Sequence, residues 1–452
     1  MITQITNSLY DQLIADFELK SILSASSEPA RLQQLRATAF EQFRLNGFPT
    51  TKVEDWKYIN LAPFLKGEFN TEPTDEPLPG LDEAIAKATI PKLDCYQVIM
   101  VNGQYQAELS HIVPGEAIHI STLSSAINQP AFQSHFGKYI DLDKNHFAAL
   151  NTALYRDGLF IEMAAKAIAD KPLHIIHITT ADSNLFLQPR HLFVIGAHAE
   201  ISIIESFVSV DGNNDVAKLV VNNVSEIVVG EQAHLKHYYI QTGHPNTSYI
   251  HHTQIEQKSS SGYNNYKASF PGTGLLRNNL NVSLNGENIE SHLYGIYLAG
   301  GRQLVDNHTI VDHLKPHCYS NELYKGVMKD EAIAVFNGKV LVRKDAQKTN
   351  AFQKNNNLML SKTAVVDSKP QLEIFADDVK CSHGSTIGQF NEDALFYLKA
   401  RGIGEDKAKA LLIHAFAYDV TEKVPLPAVQ AYINHLIEEG LGGRGVGRMS
   451  DE

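Results

Sequence analysis

Cysteine is scarce in this chain: Cys95, Cys318 and Cys381 are the only three among 452 residues. Three is too few, and odd, for a disulfide framework, so the thiols read as reduced and the chain as cytoplasmic. Long apolar runs are missing too. No stretch approaches the roughly 18 apolar residues of a membrane span, and the opening "MITQITNSLYDQLIADFELK" has no basic start followed by an apolar core, so no secretory signal is expected. Basic runs are also absent. A formal net charge of −12 argues against a nucleic-acid groove, where positive surface supplies most of the affinity. There is no P-loop and no nucleophile–base arrangement.

What remains is ordinary globular material, 43% apolar and 20% charged, in a chain long enough for two or three domains or for one elongated body. The first 65 residues carry a helical period. "EPARLQQLRATAFEQFRLNGFP" places Leu32, Leu35, Ala39, Phe40 and Phe43 along one helix face, and Gly47 and Pro49 end it. "TEPTDEPLPG" (71–80) has the prolines and acids of a linker. These signals predict an N-terminal helical region over 1–93 with a linker near 66–80.

From residue 94 the period changes. "CYQVIMVNGQY" is an apolar run, an Asn-Gly pair and an aromatic continuation, which predicts a hairpin. Short β-rich runs then recur to about 390. "VIGAHAEISIIE" (194–205) and "VVGEQAHLKHYY" (228–239) align at an offset of 34, Gly196 with Gly230, Ala199 with Ala233 and Ile201 with Leu235. A repeated strand and Gly-containing turn suit a β-solenoid, whose rungs bury a face by stacking. Asn-rich "KTNAFQKNNNLML" would supply an asparagine ladder. A β-sandwich also supplies regular short strands, and the pattern alone leaves both open.

A helical period returns over 391–440. Ala394, Leu395 and Leu398 mark one helix; Ala408, Leu411, Leu412, Ala415 and Phe416 mark the apolar face of a second; "PAVQAYINHLIEEGL" begins a third with proline in its first turn. Residues 441–452, "LGGRGVGRMSDE", read as a flexible tail. Gly440, Gly442 and Gly445 match G-x-G-x-x-G, but no strand precedes them, so the dinucleotide fingerprint is rejected.

Two clusters offer metal-ligand chemistry. His308, Asp312, His313, His317 and Cys318 lie close in sequence, without C-x-x-C or another known zinc spacing. Cys381 and His383 lie two apart, so in an extended segment sulfur and imidazole face the same side. That pair suits iron or zinc but cannot complete a site alone. The bland alternative is a small buried thiol and a turn-capping imidazole.

The stretch holding that pair, "QLEIFADDVKCSHGSTIGQFNEDALFYLKARGI", resembles the C-terminal signature of the SufB/SufD family of iron–sulfur cluster assembly scaffolds. "FPTTKVEDWKYINL" (48–61) resembles its N-terminal region, and "HCYSNELYKGVMKDEAIAVFNGKVLVRKDAQKTNAFQKNNNLML" its core. The resemblance is nearly continuous over about 170–430. It implies a mainly β fold, a right-handed parallel β-helix core (94–390) flanked by N-terminal and C-terminal α-helical regions.

It also implies a non-catalytic scaffold subunit that pairs with SufB, docks the ABC-type ATPase SufC and receives sulfur indirectly from a cysteine desulfurase. The match is to the D-type branch. Leu358, Met359 and Leu360 stand near the place of the B-type scaffold cysteine, and "KCSHGST" replaces a glutamate-rich B-type segment. On this resemblance His383 is the stronger and Cys381 the weaker ligand for iron or a transient Fe–S cluster shared with SufB. No tightly bound cofactor is expected in the isolated chain. The region of Phe396, Leu411, Leu412 and Phe416 would dock SufC, and the isolated chain could form a homodimer. The competing functions are a β-helix polysaccharide-degrading enzyme, which would need a secretory signal and a groove of Asp, Arg or Lys, and a structural partner of SufB and SufC without metal chemistry.

Overall fold

The computed structural model describes residues 8–24, 28–72, 80–112, 117–180, 183–209 and 217–441. The 71–80 linker falls mostly outside this set, and the tail and its glycine motif almost wholly so.

Two long parallel sheets dominate. In one, Glu200–Ser209, His234–Gln241, Gly262–Ser269, Glu290–Ala299, Tyr319–Met328, Asn350–Met359 and Lys380–Gly388 lie side by side in register. In the other, Leu219–Val229, Thr247–Gln257, Leu275–Leu284, Leu304–His313, Ile333–Val342 and Val365–Ile374 do the same. The chain alternates between the sheets, so each rung contributes one strand to each: a parallel β-solenoid. The parallel pairing excludes the sandwich. Glu200 pairs with His234 and Ile201 with Leu235, the offset visible in the sequence repeat. At the N-terminal end the expected hairpin forms: Met100 faces Tyr105 and Val101 faces Gln104. Asn102 and Gly103 between them both take positive φ, as a tight hairpin turn requires.

The turns differ from expectation. Gly196 and Gly230 do not supply the left-handed conformation; His198 and Gln232 do, with φ of 60° and 53°. Lys166, Ser260, Asn288, His317 and Lys348 repeat it in other rungs. Left-handed backbone is unfavourable for such residues, and a hydrogen bond to the next rung offsets it. The amide of His198 donates to Glu231 O at 2.8 Å, that of Gln232 to Ser259 O at 3.0 Å, and that of Lys348 to Asp378 O at 2.7 Å. Gly196 and Gly230 serve close approach: a Cβ on either would lie 2.7 Å from a carbonyl oxygen of the adjoining rung.

The solenoid interior is apolar over much of its length, with Ile203, Leu235, Ile255, Val282 and Phe336 in one cluster. The helical regions cover opposite outer faces. Ala30–Asn46, ended at Gly47 as read from the sequence, joins a cluster with Phe48, Trp56 and Phe147 against Val220, Ile250, Leu275 and Leu304 of one sheet. Glu405–Thr421 and Pro427–Gly440 pack Ile413, Ala417, Val429 and Ile433 on Tyr238, Tyr266, Ile296 and Val327 of the other. Strands under these helices, such as Leu219–Val229 and Thr247–Gln257, are buried along their whole length, whereas burial alternates in Asn350–Met359 near the far end.

The asparagine expectation needs relocating. Asn355 and Asn357 sit inside the Asn350–Met359 strand and bond to each other at 2.8 Å, with Asn355 Nδ2 also donating to Tyr297 Oη at 3.1 Å. A true ladder step between rungs occurs elsewhere, where Asn278 Nδ2 donates to Asn307 Oδ1 at 3.0 Å.

Candidate functional site at the open end of the solenoid

Lys380–Gly388 is the last strand of its sheet and Val365–Ile374 the last of the other. Among the described residues neither has a further strand beyond it. Two edges therefore end the solenoid, and they differ. Pro370 interrupts the donors of the Val365–Ile374 edge, and Lys369 beside it is tied to Glu54 at 2.6 Å. Both features discourage strand addition. "KCSHGSTIG" has no proline and one formal charge, so the Lys380–Gly388 edge is the one left competent to pair. Around it the apolar side chains of Val365, Ile374, Phe375 and Ile387 are exposed.

In the preceding strand Ala351, Gln353, Asn355 and Asn357 are buried and their alternate neighbours Phe352, Lys354 and Asn356 are not. Register places Cys381 on Ala351, His383 on Gln353, Ser385 on Asn355 and Ile387 on Asn357. Cys381 and His383 therefore occupy interior-type positions of a rung with no rung above it. That brings the pair to one side of the terminal strand, as the i, i+2 spacing requires. Two hydroxyls bridge the strands here: Ser385 Oγ donates to Ser368 Oγ at 2.8 Å, and Ser368 Oγ to Asn355 Oδ1 at 2.8 Å.

The two candidate ligands differ in environment. Cys381 is half-buried against a small apolar cluster containing Val340, Val342, Ala351 and Ala376. Burial pushes its thiol pKa up, opposed by a weaker hydrogen bond from the Ala351 backbone, so a bare thiolate is disfavoured there. His383 is exposed. Among the described residues no group of three or more His, Cys, Asp or Glu side chains converges to hold a metal. The pair is at most part of a coordination set.

The other cluster disperses. His308 Nε2 lies 3.0 Å from Asp306, His313 Nε2 bonds Ser320 Oγ at 2.9 Å, Asp312 pairs with Arg343 at 2.9 Å, and His317 makes a rung corner. Cys318 is buried beside that corner, its Sγ donating to Gly286 O at 3.2 Å. Alternation along strands and corners sends these residues in different directions.

On the C-terminal helices, Phe396 is 73% and Leu411 44% exposed. Leu412 is half-buried. Phe416 is half-buried and held within the molecule: Lys325 Nζ lies 4.5 Å from its ring centroid and donates to its carbonyl at 2.8 Å. The expected apolar face was Ala408, Leu411, Leu412, Ala415 and Phe416. Burial instead falls on Ala408, Ile413, Ala417 and Val420. This helix is apolar on more than one side, so a second stripe is left facing outward.

Sequence reading missed two residues behind His383, the buried Glu322 and Gln353, which share its register column. A signal existed in the recurrence of strands, but unequal rung lengths hide the register until the corners are known.

Fold and site together define a parallel β-solenoid with helical regions on both outer faces and a Cys–His pair at its open end. The model described as "SUF system FeS cluster assembly, SufBD core domain" matches residues 177–416, and that described as "SufBD protein N-terminal region" matches 7–175. The chain is 31% identical to the iron–sulfur cluster assembly protein SufD of Escherichia coli, over 90% of each chain. It is 32% identical to an iron–sulfur cluster assembly SufBD family protein of Synechocystis, over 86% of each. To the SufD of Bacillus subtilis it is 26% identical, over 93% of this chain and 96% of the relative. The chain belongs to the SufBD family of the SUF iron–sulfur cluster assembly system.

Proposed function

We propose that this chain is the D-type scaffold subunit of a cytoplasmic SUF complex. Its open end pairs with a SufB-type homologue, and iron or a nascent cluster is held between them as cargo, with His383 as this chain's principal ligand. The observation that carries the reading is the terminal strand: an edge competent to pair, with an exposed imidazole at an interior position. Imidazole suits iron, and a pair too small to form a closed site calls for ligands from a partner. Cys381 is the secondary ligand, because its thiol must lose a proton from a half-buried site before it can bind metal.

The exposed Phe396 and Leu411 form the core of the surface offered to a SufC-type ATPase. ATP hydrolysis belongs to that partner, with sulfur supplied indirectly by a cysteine desulfurase. In isolation the same open edge accepts a second copy of this chain. Among the described residues no helix is long and apolar enough to cross a membrane, which accords with a cytoplasmic setting.

The test is iron and acid-labile sulfide per complex, purified anaerobically after co-expression with B- and C-type partners. His383→Ala is expected to lose iron while the complex stays intact. Unchanged iron and sulfide would leave the chain a structural partner, with the cluster chemistry in the B-type subunit.

A further inference from the structure

We propose that Gln353 is a positioning residue for His383: its buried amide oxygen, unpartnered in this structure, takes a hydrogen bond from one imidazole nitrogen when the exposed ring turns back onto the register column, leaving the other nitrogen bare toward the open end, with Glu322 holding the amide in that orientation. The inference deepens the ligand reading of His383 and rests on it.

The three residues form one register column. Glu322 pairs with Gln353 and Gln353 with His383 in successive strands, and rungs in register bring like-facing side chains about 4.8 Å apart. Gln353 and Glu322 are 1% and 2% exposed, whereas His383 ends the column at the surface. Gln353 Nε2 donates to Glu322 Oε2 at 2.6 Å. Glu322 Oε2 is the acceptor in that contact, so the amide nitrogen faces the carboxyl group and the amide oxygen faces away from it. Gln353 Oε1 is thereby left buried, and among the described residues, His383 included, it has no hydrogen-bond partner.

A buried acceptor without a donor has given up its hydration with nothing in return. The next group along the column is the His383 ring, whose N–H is a donor of the right kind. The opposite sheet makes room for the amide: a Cβ on Gly338 would stand 2.3 Å from Gln353 Nε2. A neutral imidazole has one donor and one acceptor nitrogen. Committing the N–H to Gln353 Oε1 therefore selects the tautomer whose other nitrogen can bind metal. The carboxylate–amide–imidazole order gives the cargo site a supporting hydrogen bond from within this subunit.

The test uses the full chain labelled with [15N]histidine, the His383 signals being assigned by their loss in His383→Ala. In the wild type the two ring nitrogens should show the separated shifts of one fixed tautomer. Gln353→Glu retains an acceptor and should keep that pattern, while Gln353→Leu should collapse it toward tautomer averaging. In the co-expressed complex Gln353→Leu should weaken iron retention about 10-fold, the lower end for loss of a supporting partner, and Gln353→Glu should restore it. Unchanged nitrogen shifts in Gln353→Leu, or equal collapse in a folded Gln353→Glu, would overturn the proposal. Full iron in His383→Ala with the nitrogen pattern still dependent on Gln353 would instead remove the ligand reading and leave the hydrogen bond standing.

Discussion

Trp56 lies beneath the guanidinium of Arg277, whose Cζ is 4.3 Å from the indole ring centroid. Arg277 Nη1 also donates to the Asp55 carbonyl at 2.8 Å and to the Asp306 carboxylate. One buried side chain thus joins the N-terminal "EDWK" segment to two adjacent solenoid strands. Arg277→Met strips Asp306 of its counter-charge in a site where both are almost fully buried, and breaking such a pair costs about 3–5 kcal/mol. The double variant with Asp306→Asn should recover part of that loss. Trp56 is the chain's only tryptophan, so its fluorescence in a urea titration reads this joint directly. A change under about 0.5 kcal/mol, the scale of an ordinary surface substitution, would show that the joint contributes little.

Two buried ionisable groups make stability depend on pH in opposite directions. Burial lowers the Lys267 amine from 10.5 to about 7, against a weaker opposing pull from Glu205. Between those values the unfolded chain holds a proton that the native chain has released, so this group's contribution to stability rises with pH. Burial raises the Glu322 carboxyl from 4.5 to about 7. There the native chain holds the extra proton, and the contribution falls as pH rises across that window. Lys267→Met should therefore stabilise by on the order of 4 kcal/mol at pH 6 and by little near pH 10. Glu322→Gln should gain about 3 kcal/mol on wild type between pH 4.5 and 8. Denaturant midpoints across pH 4.5–10 measure both, and a pH-independent difference from wild type in either variant would contradict its assignment.

Much of this architecture was legible before any coordinates. The offset joining Ile201 to Leu235 is the actual register, and Gly47 does end the first well-packed helix. The errors came from features that local sequence does not encode. His198 and Gln232 adopt left-handed backbone because the neighbouring rung rewards it, a tertiary gain invisible in a turn motif. Leu411 looked like core because its helix has two apolar stripes, and only the position of the second sheet decides which is buried. Cys381 and His383 could be placed on one side of a strand, but that the strand is terminal depends on the rung count. Gln353 gave no signal by itself, since its role depends on stacking across strands 30 residues apart in register.

The three cysteines offer a footprint of the open end. Cys95 and Cys381 are half-buried and Cys318 is buried. Burial raises all three thiols, with Asp94 adding to the effect at Cys95. N-ethylmaleimide at neutral pH should therefore label Cys95 and Cys381 slowly in the folded chain, and Cys318 only after unfolding. Adding the B-type partner should protect Cys381 and leave Cys95 unchanged, as read by peptide mass spectrometry. Equal labelling of Cys381 with and without bound partner would place the interface away from the terminal strand.

The C-terminal helices carry the sharpest separation of stability from binding. Ile413 is fully packed against the solenoid, while Phe396 and Leu411 expose large apolar surface on the outward side of the same helical region. Ile413→Ala removes buried methylenes and leaves a cavity, so it should cost about 2–5 kcal/mol. Phe396→Ser with Leu411→Ser removes nothing from the core and should leave the denaturant midpoint within about 0.5 kcal/mol of wild type. If the outward stripe docks the ATPase, that double variant should weaken co-purification of the C-type subunit at least 10-fold, because exposed aromatic anchors are the residues whose truncation costs most at an interface. Phe416, committed to Lys325 within the molecule, should instead show a stability loss on truncation to alanine. Retention of the ATPase by a stable Phe396→Ser/Leu411→Ser chain would move the docking surface off these helices. Loss of both stability and binding would mean that the outward stripe packs within the molecule.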